Sequence, residues 1–268
     1  MLKKRIIFTL LYSDGYFFQS RNFNIQRVGD VEWLLINYNF DNISYFIDEL
    51  IILDISREKK NRDSFLKNAN KLIKKCFIPI TFGGGVSNLD IAKEYLSSGA
   101  DKILINSSIY TNQEIINEIS KIYGQQSIIL NLDFKKIENN YFLFKNNGQK
   151  KLEIDLKEFI LKLTKLSFGE LMINSINNDG SGIGLDLNLI DLIPSEFSKP
   201  LIISGGIGNY KHIINGLKNS RVSAISTANL LNFLGDGLEL TRDNLIKNDL
   251  NFPQWNKELI MEYYNMFK

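Results

Sequence analysis

The second half of this chain echoes the first at a nearly constant distance. Asp48-Glu49-Leu50-Ile51-Ile52-Leu53-Asp54-Ile55 returns as Gly169-Glu170-Leu171-Met172-Ile173-Asn174-Ser175-Ile176, and Phe82-Gly83-Gly84-Gly85-Val86 returns as Ile203-Ser204-Gly205-Gly206-Ile207, both offset by 121 residues. Ile6-Ile7 and Ile128-Ile129 are 122 apart, and Asn106 and Asn229 are 123 apart. Self-similarity of this kind marks a duplicated structural unit. Within each unit, short Ile- and Leu-rich runs alternate with longer amphipathic segments, the rhythm of parallel strands joined by crossover helices. Strands are expected over Arg5 to Leu11, Glu49 to Asp54, Phe77 to Phe82, Lys102 to Ile105, Ser127 to Asp133, Glu170 to Ser175, Leu201 to Ser204 and Val222 to Ser226. Eight such strands close a barrel. The fold expected is therefore α/β, a (β/α)8 TIM barrel of two similar half-barrels, forming one domain over residues 1–268.

Helices are expected at Asp30 to Asn37, Ser64 to Lys75, Asn88 to Ser98, Asn112 to Tyr123, Leu156 to Leu166 and Tyr210 to Leu217. Asn139-Asn140 and Asn146-Asn147-Gly148, flanking Tyr141 to Phe144, predict a hairpin inserted after strand five. The opening Met1-Leu2-Lys3-Lys4-Arg5 and its apolar continuation imitate a secretory leader, but no small-residue cleavage site follows. We read it as the first strand. No apolar run approaches the roughly 18 residues of a membrane span.

Lys+Arg number 32 and Asp+Glu 30, a balance of only +2 without a long basic block, which argues against a nucleic-acid partner. One cysteine, Cys76, excludes an internal disulfide, and one histidine, His212, without clustered cysteines gives no zinc-like spacing. A cytoplasmic location is expected, with no metal and no cofactor.

Chemistry in such barrels sits at the C-terminal strand ends. There Gly84 and Gly85 after strand three, with Asn106 and Ser107 after strand four, offer backbone N–H groups that an anion can approach closely. The repeat supplies a second set, Asp179 and Gly180 after strand six, Gly205 and Gly206 after strand seven, and Ala228 and Asn229 after strand eight. A ligand with an anionic group at each end fits both sets, though a glycine triplet is also how a tight βα turn is made. Asp54, Asp133 and Asp179 are the acid-base candidates. For Asp133 the structural alternative is a loop cap or a bridge to Lys135, and Asp54 and Asp179 lean further toward such turn roles. At the other end, Arg5, Glu49, Lys102 and Glu170 alternate in sign around the barrel, as a functional gate or as a plain salt-bridge plug.

Lys4-Arg5-Ile6-Ile7, Asn22-Phe23, Leu53-Asp54-Ile55, Phe82-Gly83-Gly84-Gly85, Gly99-Ala100-Asp101-Lys102, Asp179-Gly180 and Ser204-Gly205-Gly206 stand in an order and spacing that resembles the HisF family, the cyclase half of imidazole glycerol phosphate synthase. The resemblance implies a ligand with a phosphate at each end and a HisH-type glutaminase docked on the opposite face as a heterodimer. It marks Asp133 as one of two catalytic aspartates, Asp179 and the glycine positions as substrate-site residues, the four charges as an ammonia gate, and Asp101 and Gln126 as docking-face positions. It also exposes departures. Leu11 stands where the family has its other catalytic aspartate, Thr9 where a cysteine is usual, Gln19 where a mobile loop carries a lysine, and Asn177 where another acid is found. A leucine neither gives nor takes a proton. The leading expectation is a HisF-like paralogue serving a separate sugar amidotransferase in acetamidino-sugar synthesis. An ordinary cyclase of histidine biosynthesis, a HisA-type isomerase and a non-catalytic conduit that activates the glutaminase stay open beside it.

Overall fold

The computed structural model describes residues 3–229 except 39, 41, 58, 59 and 75, and residues 237–253 except 249, together with 262 and 266. Met1, Leu2 and Lys75 of the expected elements lie outside the described residues.

Eight strands run parallel in a closed ring: β1 (Arg5–Ser13), β4 (Glu49–Asp54), β5 (Ile80–Gly83), β6 (Lys102–Ile105), β7 (Ile128–Ile137), β10 (Glu170–Ser175), β11 (Leu201–Ser204) and β12 (Val222–Thr227). β12 pairs with β1, and β7 with β10, so no barrel strand is left at an edge. Four further strands make two projections above the ring: β2 (Tyr16–Arg21) with β3 (Asn24–Gly29), and β8 (Asn140–Lys145) with β9 (Lys150–Lys151).

Helices α1 (Val31–Asn37), α2 (Arg62–Ile73), α3 (Leu89–Ser97), α4 (Glu114–Tyr123), α5 (Leu156–Leu163), α6 (Asn188–Asp191), α7 (Tyr210–Leu217) and α8 (Gly237–Lys247) fall in the connections and after β12. Five begin on an Asp or Asn whose side chain accepts a first-turn N–H: Asp30, Asn61, Asn88, Asp155 and Asn209. Each cap supplies a partner for a donor the helix leaves orphaned.

Alternation along each strand divides the interior. Ile6, Phe8, Leu10 and Tyr12 of β1 point outward into the helix layer, whereas Ile7 points to the axis with Ile51, Leu104, Ile129, Met172, Ile202 and Ala224. These seven form an apolar collar across the middle of the barrel. Charge lies below the collar and polar groups above it.

Four strand expectations shift, β1 running on to Ser13 and β12 to Thr227, past the expected Leu11 and Ser226, and two others moving for reasons their partners show. β5 begins at Ile80 rather than Phe77, because Pro79 has no N–H for the ladder, while its carbonyl accepts from Leu50; Phe77 is exposed. β7 runs past Asp133 to Ile137, since its end pairs antiparallel with β8, which is the hairpin expected after strand five. The stretch expected as a loop after strand one is a second hairpin, with Gln19 on β2 bonded to Gln26 on β3 at 3.0 Å. Among the described residues no helix is long and apolar enough to cross a membrane.

Candidate functional site

At the N-terminal end of the barrel the four alternating charges meet in one ring. Arg5 bridges Glu49 and Glu170, and Lys102 bridges the same two carboxylates at 3.0 and 2.7 Å. Strand register produces this, because all four residues sit at or next to the first position of β1, β4, β6 and β10 and face the axis. Burial would raise the Glu170 carboxyl, yet hydrogen bonding and charge from Arg5, then from Lys102, hold it below its ordinary range. Two cations and two anions cancel, which lets partly buried charges persist here. Asp101 and Gln126 are exposed at the same end. Asp101 accepts from the Ile80 N–H at 2.8 Å, and Gln126 donates to the Tyr123 carbonyl at 3.1 Å.

At the opposite end lies a cavity of about 530 Å³. Its floor centres on Asp133, held by three amides: Asn131 donates to Oδ1 at 2.9 Å, Asn174 to the same oxygen at 3.2 Å, and Asn106 to Oδ2 at 3.0 Å. Desolvation pushes the Asp133 carboxyl up to about 6, against the lowering effect of those three amides and with a small push from Asp179. Lys135 is not its partner, since that ammonium lies over the Phe144 ring. The amides spend their N–H groups on the carboxylate, and Oδ1 of Asn131 and of Asn174 is left buried without a protein partner. Such groups carry a desolvation cost that only a further donor can offset. Leu11 lines the same cavity beside Leu53 and Thr9, so the position where the resemblance places a second aspartate faces the site as an apolar wall.

The two glycine sets are not equivalent. Gly84, Gly85 and Ser107 line the cavity; Gly84 takes φ +102 and a Cβ there would strike the Asp54 carbonyl, so the position requires glycine on both counts. Asn106 also lines it, but its side chain is committed to Asp133 rather than to an anion. In the second set Asp179 and Ala228 line the cavity, whereas Gly180, Gly205, Gly206 and Asn229 lie outside its wall. Gly206 is pressed on the Gly184 carbonyl and Gly205 on Ser175, so a side chain at either position would strike a neighbouring loop.

Asp54 and Asp179 have turn roles as well as cavity positions. Asp54 accepts from the Ser56 N–H and hydroxyl at 3.0 and 2.6 Å, and Lys60 lies 3.4 Å away. Asp179 ties down the tip of the β2–β3 hairpin, accepting from the Ser20 hydroxyl at 2.9 Å and from the Phe23 N–H at 3.0 Å. Burial raises its carboxyl above the ordinary value despite those bonds. Asn177 holds β7 instead of acting in the site, exchanging bonds with the Lys136 backbone at 2.7 and 3.1 Å.

Sequence reasoning missed the cations Arg57 and Lys60 at the Gly85 end, and it missed Asn131 and Asn174 around Asp133. It also missed how far the β8–β9 hairpin reaches, since Asn147 donates to the Ile55 carbonyl across the mouth at 3.1 Å. No group of three or more His, Cys, Asp or Glu is placed to hold a metal ion among the described residues.

Comparison with known proteins agrees with this geometry. A family-wide profile described as histidine biosynthesis protein matches residues 30–234. A protein of Parasynechococcus marenigrum (strain WH8102), bearing the provisional name imidazole glycerol phosphate synthase subunit hisF2, is 42% identical over 256 residues, 95% of either chain. The imidazole glycerol phosphate synthase subunit HisF of Chlorobium phaeovibrioides (strain DSM 265 / 1930) is 34% identical over 87% of this chain and 92% of its own. That of Chlorobium chlorochromatii (strain CaD3) is 32% identical, covering 92% and 97%.

Proposed function

This chain belongs to the HisF family of imidazole glycerol phosphate synthase subunits, and from that premise we propose that it receives ammonia from a HisH-type glutaminase and passes it to an acceptor other than the family's cyclisation substrate. The observation that carries the proposal is the contrast between the two ends of the axis. The lower end keeps a complete ring of opposed charges, and the upper end presents Leu11 opposite a lone amide-bound Asp133.

Cyclisation by paired carboxylates needs one group to give a proton while another takes one. Leu11 does neither. Asp133 titrates near neutrality and can exchange a proton, but without a second carboxylate at Leu11 it acts singly. Ammonia is small and uncharged, so it passes an apolar collar that excludes ions. The collar of Ile7, Ile51, Leu104, Ile129, Met172, Ile202 and Ala224 suits that cargo. Asp101 and Gln126 stand on the face where the glutaminase docks, in the cytoplasm. The acceptor proposed is a nucleotide-linked acetamido sugar, which a separate amidotransferase converts to its acetamidino form as ammonia displaces the amide oxygen, that oxygen leaving as phosphate after activation by a nucleoside triphosphate; the Gly84-Gly85-Ser107 rim and the cations Arg57 and Lys60 supply an anion-binding end.

The test mixes the full chain with its glutaminase and the amidotransferase and follows glutamine-dependent amidination. Formation of the acetamidino sugar only when this chain is present is the expected result. Product formed equally without it would end the proposal. A second reading, the cyclase of histidine biosynthesis, is supported by the names of the Chlorobium relatives and by Asp133 itself. It requires cyclisation of the phosphoribosyl-formimino precursor with ammonium salt, abolished in Asp133→Asn.

A further inference from the structure

A second cavity, about 360 Å³, opens on the lower face between the first residues of β11 and β12, away from the mouth. Three cations converge on it from three segments: Lys4 ahead of β1, Lys199 ahead of β11 and Arg221 ahead of β12. Each is held in place by main-chain carbonyls. Lys4 donates to Asn219 at 3.2 Å and also to Val222, Lys199 to Phe168 at 2.6 Å, and Arg221 to Ile190 and Pro194 at 3.1 and 2.8 Å. Carbonyls satisfy donors but do not neutralise charge. None of the three forms an ion pair with a carboxylate among the described residues, and Glu196, the acid beside Ser195 in the chain, accepts from the Ser195 hydroxyl at 3.3 Å. Burial lowers both lysines, with no carboxylate acting to raise either. Partly buried cations gathered without a counter-charge are unfavourable unless an anion joins them. The Ser220 hydroxyl on the same wall provides a neutral donor.

We propose that this cavity is a binding site for a small oxyanion of the phosphate or sulfate type, held by Lys4, Lys199 and Arg221. It adjoins the ion ring, because the Ser223 hydroxyl in its wall accepts from Arg5 at 3.2 Å and donates to the Leu201 carbonyl at 2.9 Å. The site is distinct from the upper mouth and does not depend on the ammonia reading.

Titration of the full chain with inorganic phosphate, followed by backbone amide resonances, reads the two ends separately. Saturable shifts at Lys199 and at Ser220 through Ser223 are expected. Losing one charge-assisted contact in Lys199→Gln or Arg221→Gln should weaken them about tenfold. Shifts at Gly84 and Gly85 should stay as they were, which also shows that the variants fold. Shifts confined to the upper mouth, or lower-face shifts indifferent to both substitutions, would overturn the site. So would absent phosphate binding together with glutaminase affinity lost in the same variants, which would make these cations docking contacts instead.

Discussion

Asp133 is buried on the cavity floor, accepts three amide hydrogen bonds and is still pushed up to about 6, so desolvation outweighs the amides. Its ordinary value is 3.8, and a folded-state value above the unfolded one means that folding favours the protonated form. The resulting stability is fully present below about pH 4 and is lost as the pH rises through about 6; a difference of this size is worth about 3 kcal/mol. Carboxyl carbon NMR should give Asp133 a midpoint near 6. Urea unfolding should show the stability of the parent relative to Asp133→Asn falling across that interval, and a flat difference would contradict the desolvation argument. Leu11→Asp adds a carboxylate to the same cavity wall. Like charge disfavours ionisation, so the Asp133 midpoint should move upward in that variant, by the same NMR measurement. An unchanged midpoint would mean that the two positions do not communicate across the mouth.

The hairpin of β2 and β3 owes its position to Asp179 and Gly180. Asp179 bonds Ser20 and Phe23, and a Cβ on Gly180, which takes φ +64, would run into the Ser20 carbonyl. Gly180→Ala should therefore lift the hairpin tip and leave the barrel strands intact. Hydrogen exchange should quicken about tenfold across Phe17 to Arg27, corresponding to roughly 1–3 kcal/mol of local strain, with β4 and β10 unaffected. Uniform protection would show that the hairpin does not depend on this contact. The turn from β1 into this hairpin was legible in principle: Asp14 and Gly15 both take positive φ between Ser13 and Tyr16, and Asp-Gly is a strong two-residue turn signal. Strands β4, β6, β10 and β11 were readable to the residue, because buried parallel strands are near-continuous apolar runs with abrupt ends. Asn131 and Asn174 were not readable as site residues. Asparagine is frequent throughout the chain, and only barrel closure between β7 and β10 brings these two amides to one carboxylate oxygen.

At the scale of the molecule, duplication built a barrel whose halves are unequal. Arg5, Glu49 and Lys102 come from the first half, and the second contributes only Glu170, so the ring is complete only when both halves have closed on each other. Lys102→Met leaves two carboxylates sharing Arg5 and an excess negative charge at the axis. Breaking a buried pair costs about 3–5 kcal/mol. Side chains here remain partly wet, Lys102 at 16% and Arg5 at 20% exposure, so screening should reduce the loss to about 2 kcal/mol. Urea unfolding of Lys102→Met, Glu49→Gln and the double variant forms the check, because the double variant is neutral again and should recover part of the loss. Strict additivity would mean the ring is four separate contacts. The same double variant separates stability from transport. If the ring serves as an ammonia gate, a chain that regains stability but keeps only Arg5 and Glu170 should still show altered glutamine-dependent transfer with its glutaminase. Unaltered transfer in a stably folded double variant would make the ring a structural plug, with the gate role withdrawn and the apolar collar above it untouched.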